Sequence, residues 1–195
     1  MKLDFDALEP KDRYKIMSRT LIPRPIAWIA TEGATLNLAP FSYFMSLSSA
    51  PPTLIVSVGH KKDGTPKDTL ANIRATKKCT ISMVDEAHLE PMHCTSKPLP
   101  PEVSEAEAFG IETERVFADF PPMVKGAPAA FFCSLFDEID LGGKTVPLIL
   151  RIEKYYVDDR CVKDPQRFDI ELDLIARVGA KYARLGERID PPPIL

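Results

Sequence analysis

Lys67-Asp68-Thr69 is the tripeptide of this chain best equipped to hold an anion. It runs into Leu70-Ala71-Asn72-Ile73-Arg74, where Leu70, Ile73 and Arg74 fall at helical spacing, so a helix is expected to open here. A helix start presents free backbone N–H groups and the positive end of the peptide dipole, and both attract phosphate. Lys67 adds a full charge and Thr69 a hydroxyl donor. Asp68 would repel a phosphate and is expected to turn back and cap the helix, with Asp68 or Thr69 as the N-cap. The same residues also suit an ordinary capped helix with an exposed lysine.

A second group lies thirty residues upstream, in Asn37-Leu38-Ala39-Pro40-Phe41-Ser42-Tyr43-Phe44. A flat heteroaromatic ring needs donors and acceptors along its polar edge and apolar contact on its faces. Asn37, Ser42 and the backbone of Ala39 suit the edge, and Phe41, Tyr43 and Phe44 suit the faces. A core strand interrupted at Pro40 explains the same residues without a ligand. His60, His88 and His93 have no metal-site spacing, and Met92-His93-Cys94 is a weak local pair. There is no G-x-G-x-x-G and no G-x-S-x-G, and Gly143-Lys144-Thr145 lacks the upstream glycine of a P-loop because position 138 is Glu138.

The elements that must position these groups are mostly strands. Ile26–Ala30 and Thr53–Val58 are runs of β-branched and apolar residues and read as buried strands. Glu32–Thr35 contains Gly33 and reads as a turn, and Asn37–Leu47 reads as a strand start plus irregular loop. Cys79–Val84, Ala129–Asp137 and Val146–Val157 read as further strands. Short helices are expected at Leu89–Cys94 and Ser104–Phe109, the latter stopped by Gly110. Arg177–Gly186 reads as a short structured tail. Strands without a βαβ rhythm predict a mainly β chain: an antiparallel barrel carrying small peripheral helices.

Composition narrows the function classes. With 195 residues the chain is expected to form a single domain over 1–195, and 45% hydrophobic residues suffice for a real core. A net charge of -3 carries no electrostatic signature for nucleic acid or a membrane surface. No apolar run reaches the roughly 18 residues of a membrane span, and Met1–Asp6 is too acidic for a signal peptide. Cys79, Cys94, Cys133 and Cys161 are well separated and read as free thiols in a reducing cytoplasm. The proline pairs Pro51-Pro52, Pro100-Pro101 and Pro121-Pro122 punctuate a loop-rich β protein.

In their order and spacing, these segments resemble the flavin reductase-like, FMN-binding split-barrel family of the flavoredoxin type. The sharpest block is Arg24–Val84, with Arg24-Pro25-Ile26-Ala27-Trp28, Asn37–Ser42, Pro51-Pro52 and Lys67–Ile73. Glu107-Ala108-Phe109-Gly110-Ile111 and Arg177-Val178-Gly179-Ala180-Lys181-Tyr182 supply two further blocks. The resemblance implies a six-stranded antiparallel split barrel, a homodimer, and FMN in a cleft near the subunit interface. It implies that Asn37–Phe44 lines the flavin ring and that Lys67, Asp68 and Thr69 lie at the phosphate. Thr31 would sit near the ring, Ser57 and Gly59 near the ribityl chain, and Arg177 and Tyr182 would close the site from the tail. The implied activity passes hydride or electrons from NAD(P)H or a redox protein through FMN to an acceptor. That acceptor is free flavin, a partner enzyme or a metal complex. A non-catalytic flavin store, sensor or scaffold is the alternative.

Overall fold

A computed structural model of the chain describes residues 1–192. Its element order begins with α1 (Pro10–Thr20), which precedes the first element expected from the sequence. Then come β1 (Ala27–Glu32), β2 (Leu36–Phe41), β3 (Phe44–Ser49), β4 (Pro52–Gly59), α2 (Asp68–Thr76) and β5 (Lys78–Ser82). Next are α3 (Leu89–Cys94), α4 (Glu105–Ala108), β6 (Thr113–Glu114), β7 (Met123–Val124), β8 (Ala129–Glu138) and β9 (Thr145–Val157). The chain closes with β10 (Val162–Asp164), β11 (Asp169–Ile170), β12 (Ile175–Val178) and β13 (Lys181–Arg184).

Seven strands form one antiparallel sheet in the order β2-β1-β5-β8-β9-β4-β3. The expected count of six is therefore one short. The stretch Asn37–Leu47, expected to lapse into loop, instead supplies both edge strands. Those two edges are joined by Ser42 and Tyr43 alone. A flat sheet would hold its outer strands far apart, so this link forces the sheet to curl until the end of β2 and the start of β3 meet. They do not pair, and the barrel stays split between them. Register irregularities in the long β8–β9 ladder, between Phe132 and Cys133 and between Leu135 and Asp137, help it bend.

The curl sorts side chains by the period of two. From β1, Ala27 and Ile29 enter the barrel interior with Val56, Leu148 and Leu150. Trp28 and Ala30 face outward, into a second core under the peripheral segments that includes Met92, Phe120 and Phe132. Trp28 is fully buried there, its indole N–H donating to Thr95 Oγ1 at 2.9 Å. Thr31 continues the interior row and ends it with a hydroxyl. Leu70 and Ile73 of α2 belong to the interior core, so this helix closes one end of the barrel.

The proline in β2 is tolerated because β2 is an edge. Leu38 N–H points out of the ladder, to the carboxylate of Glu105 at 3.0 Å. Alternation turns Pro40 outward as well, where no ladder donor is needed. Helix α4 thereby covers the open edge. No helix among the described residues is long and apolar enough to cross a membrane.

Candidate flavin site

The polar residues at the barrel end converge. Asn37 Nδ2 donates to Thr31 Oγ1 at 3.1 Å and to Thr69 Oγ1 at 2.9 Å. Asn72 Nδ2 donates to the same Thr31 oxygen at 3.1 Å. Thr31, Asn37 and Thr69 are all buried. Three separate elements, β1, β2 and α2, are thus fastened by side chains that no local pattern links. Both threonine hydroxyls serve here as acceptors, so each keeps a proton to donate elsewhere. Asn72 was not among the expected site residues; its place one turn beyond Thr69 on the same helix face was the available signal. Gly33 makes room for it: an added Cβ would lie 2.3 Å from Asn72 Oδ1.

Helix α2 starts one residue away from expectation. Lys67 is the N-cap, and no side chain caps the helix. Asp68 does not turn back; its carboxylate instead accepts from Lys61 Nζ at 2.7 Å. The first-turn N–H groups therefore have no side-chain acceptor. Lys67 is exposed, with Nζ 5.6 Å from the Phe41 ring centre. Its N–H reaches Gly59 O at 3.4 Å, which ties the end of β4 to the start of α2.

Along β2 the strand rise places Asn37 and Phe41 about 13 Å apart. Ala39, Pro40, Phe41, Ser42 and Tyr43 are half-buried and line that length. Ala39 has its backbone in the β1 ladder, by the alternation that turns Leu38 and Pro40 outward, so the outward-facing backbone belongs to those two neighbours instead. Phe44 packs in the barrel interior, which removes it from any ligand face. Ser57 N–H donates to Tyr43 O at 2.9 Å, joining β4 to the link between the sheet's edges.

Arg177 and Tyr182 lie together in the β12–β13 hairpin, Arg177 Cζ 4.7 Å from the Tyr182 ring centre. Tyr182 Oη bonds His93 Nδ1 at 2.9 Å. The hairpin meets the other end of β1: Arg24 and Arg177 exchange backbone hydrogen bonds at 3.1 and 2.8 Å. Arg24 is buried, bonds Ser18 O and Leu21 O at the end of α1, and sits 5.6 Å from the Tyr43 ring centre. Tyr14 of α1 stacks on Tyr43 at 5.8 Å. Burial raises the Tyr43 phenol above its usual value; Tyr14 adds to this and Arg24 opposes it. The structure thus makes one cluster of Thr31, Asn37 and Thr69, and a second of Arg177 and Tyr182 that reaches Tyr43 through Arg24.

The thiols are free. Cys79 and Cys133 face each other across β5 and β8, fully buried. The hydrogen bond from its neighbour and burial push the Cys133 thiol well up, so it is a core residue rather than a nucleophile. Among the described residues no three potential ligands converge on a metal position.

A curled antiparallel sheet, split at β2/β3, with an uncapped helix start at its end, defines the class of split-barrel flavoproteins. The chain belongs to the flavin reductase-like family: the family described as "Flavin reductase like domain" matches residues 17–169. A protein of Halalkalibacterium halodurans is 34% identical over 204 residues, covering 100% of this chain and 98% of its own. Nitrilotriacetate monooxygenase component B from Bacillus cereus superposes with a TM-score of 0.91 at 29% identity, over 98% of each chain. The Pseudomonas fluorescens 2-nitrobenzoate 2-nitroreductase NbaA superposes with a TM-score of 0.89 at 25% identity, over 100% of this chain and 96% of its own. Membership implies flavin binding and an oxidoreductase.

Proposed function

We propose that this protein is an FMN-dependent oxidoreductase that takes reducing equivalents from NAD(P)H or a redox protein and delivers them to free flavin, a partner enzyme or a metal complex. The observation that carries the reading is the start of α2. Its N–H groups have no side-chain cap, Lys67 stands at the cap position, and Thr69 keeps a spare hydroxyl proton. Such a start suits a phosphate, and the length of β2 suits the rest of FMN.

Bound FMN supplies the hydride and electron chemistry. The chain's own residues bind and orient it. Lys67 and the helix start hold the phosphate, with Ser57 and Gly59 along the ribityl chain. Phe41 and Tyr43 cover the ring and Ser42 meets its polar edge, whereas Thr31, tied through Asn37 to Thr69, stays at the phosphate end. Arg177 and Tyr182 act through Arg24 by fixing the Tyr43 end. No side-chain acid or nucleophile is required. Met45 and Leu47, exposed on edge strand β3, whose outer side is unpaired, support a homodimer built there. The free thiols and the family's chemistry favour the cytoplasm.

The test is the visible spectrum of the purified protein, before and after NADH or NADPH without oxygen. Flavin bands that bleach support the proposal. Bands that persist point to a protein donor, and no bands after adding FMN would end the reading. Lys67→Ala should weaken FMN binding by about 1.5–3 kcal/mol, as loss of a charge-assisted bond does. Calorimetric titration with FMN measures it, and an unchanged dissociation constant removes Lys67 from the phosphate site.

A further inference from the structure

A cavity of about 230 Å³ opens beside α2, on the flank that carries Asp68, Ala71 and Asn72. The β1–β2 turn and the segment from Pro100 to Glu105 form its other walls. It is smaller than the roughly 300–1,000 Å³ of a whole cofactor pocket, so it suits one piece of a larger ligand. Asn37 and Asp68 border both this cavity and the start of α2. A group entering it would therefore lie beside whatever phosphate that helix holds.

The wall chemistry is specific. Glu105 is only 8% exposed, yet it lines the cavity. One of its oxygens accepts Leu38 N–H, and no side-chain cation pairs with it among the described residues. Burial raises its carboxyl above the usual value; the Leu38 N–H opposes this and the charge of Asp68 adds to it. Asp68 lends a second carboxylate, partly neutralised by Lys61. Acceptor oxygens beside apolar Pro101 and Val103 match a ribose: hydroxyls toward the carboxylates, ring and base against the apolar wall. The same carboxylates repel an additional phosphate.

We propose that this cavity binds the nucleoside end of a dinucleotide, with Glu105 accepting from the ribose and selecting a free 2′-hydroxyl over a 2′-phosphate. The inference rests on the reading of α2 as a phosphate end. The shared chemistry is adenosine with an unmodified ribose, supplied either by NADH as donor or by FAD as an alternative flavin.

The experiment is calorimetric titration with 5′-AMP and with adenosine 2′,5′-bisphosphate, which needs no flavin turnover. 5′-AMP should bind at least tenfold more tightly than the bisphosphate. Glu105→Gln keeps an acceptor for Leu38 N–H, and it should weaken 5′-AMP about tenfold and narrow that discrimination. Val103→Trp, at an exposed rim position, should block 5′-AMP without touching the edge bond. Absent 5′-AMP binding, equal binding of the two probes, or indifference to both variants overturns the inference. In Val103→Trp a raised KM for NADH with FMN affinity intact assigns the nucleoside to the donor. Loss of any FAD advantage over FMN assigns it to the flavin; neither change overturns the proposal. A protein that binds 5′-AMP but no flavin would retire the flavin reading and leave this site standing.

Discussion

The two ends of the β1–β2 ribbon solve the same problem in different ways. At the Thr31–Asn37 end, buried polar side chains bond one another: both Asn37 amide protons find threonine oxygens, and Asn72 shares one of them. At the Arg24–Tyr43 end, the polar groups are buried largely against rings. Arg24 spends one nitrogen on two carbonyls, while Arg24 Nε, Arg24 Nη2 and Tyr43 Oη have no partner. The first end is set by hydrogen-bond geometry, and the second by burial, ring stacking and the cation over Tyr43. An end built on hydrogen bonds should resent the loss of a single hydroxyl, whereas an end built on packing should resent the loss of volume or charge and ignore a hydroxyl.

Substitutions sharpen that contrast. Arg24→Met should cost the most, about 2–3 kcal/mol, because two carbonyls at the end of α1 lose a charged donor. Urea denaturation measures it, and an unchanged midpoint would mean that α1 is held by other contacts. Thr31→Val keeps the volume but removes the acceptor shared by Asn37 and Asn72, for about 1–2 kcal/mol. A neutral result in the same titration would demote that network to incidental contact.

Glu105→Gln tests the wall between these ends through pH. A buried carboxyl whose folded value is raised binds protons more tightly in the folded state, so stability falls as pH climbs from about 4.5 through the raised value. The wild-type protein should lose stability across that window, and the variant should lose less. Parallel curves would mean that the carboxyl titrates as in the unfolded chain. Tyr43→Phe should be the smallest effect, within about 0.5 kcal/mol, since its hydroxyl has no partner to lose. A large thermal shift there would erase the distinction between the two ends.

Much of the frame was legible in the chain. The runs at Ile26–Ala30 and Thr53–Val58 are strands within a residue or two, as are the long pair expected at Ala129–Asp137 and Val146–Val157. The α2 start lies at the expected tripeptide. Asn37–Leu47 was harder. Pro40 argues against a strand unless the strand is an edge, and in β3 the apolar side of the alternation, Met45 and Leu47, is exposed rather than in the core. Edge position is a property of the sheet order, which no local window contains. Asp68 is the sharper lesson at the site: its residue type suits a cap, but Lys61 competes for it at 2.7 Å and wins.

The sequence by itself determined which residue types are available and how they are spaced. It supplied a cation and a hydroxyl at a helix start, buried β-branched runs, and an order of blocks that points to the flavin reductase-like family. Local propensity and side-chain chemistry suffice for that much. Only the tertiary structure decided the partners. It brought Asn72 onto Thr31 across 41 residues, and Glu105 onto Leu38 across 67. It withdrew Phe44 into the core and left β2 and β3 unpaired with each other. The physical reason is the two-residue link at Ser42 and Tyr43. Once it joins the outermost strands, the sheet must curl, and curling selects which distant side chains meet at the barrel's end.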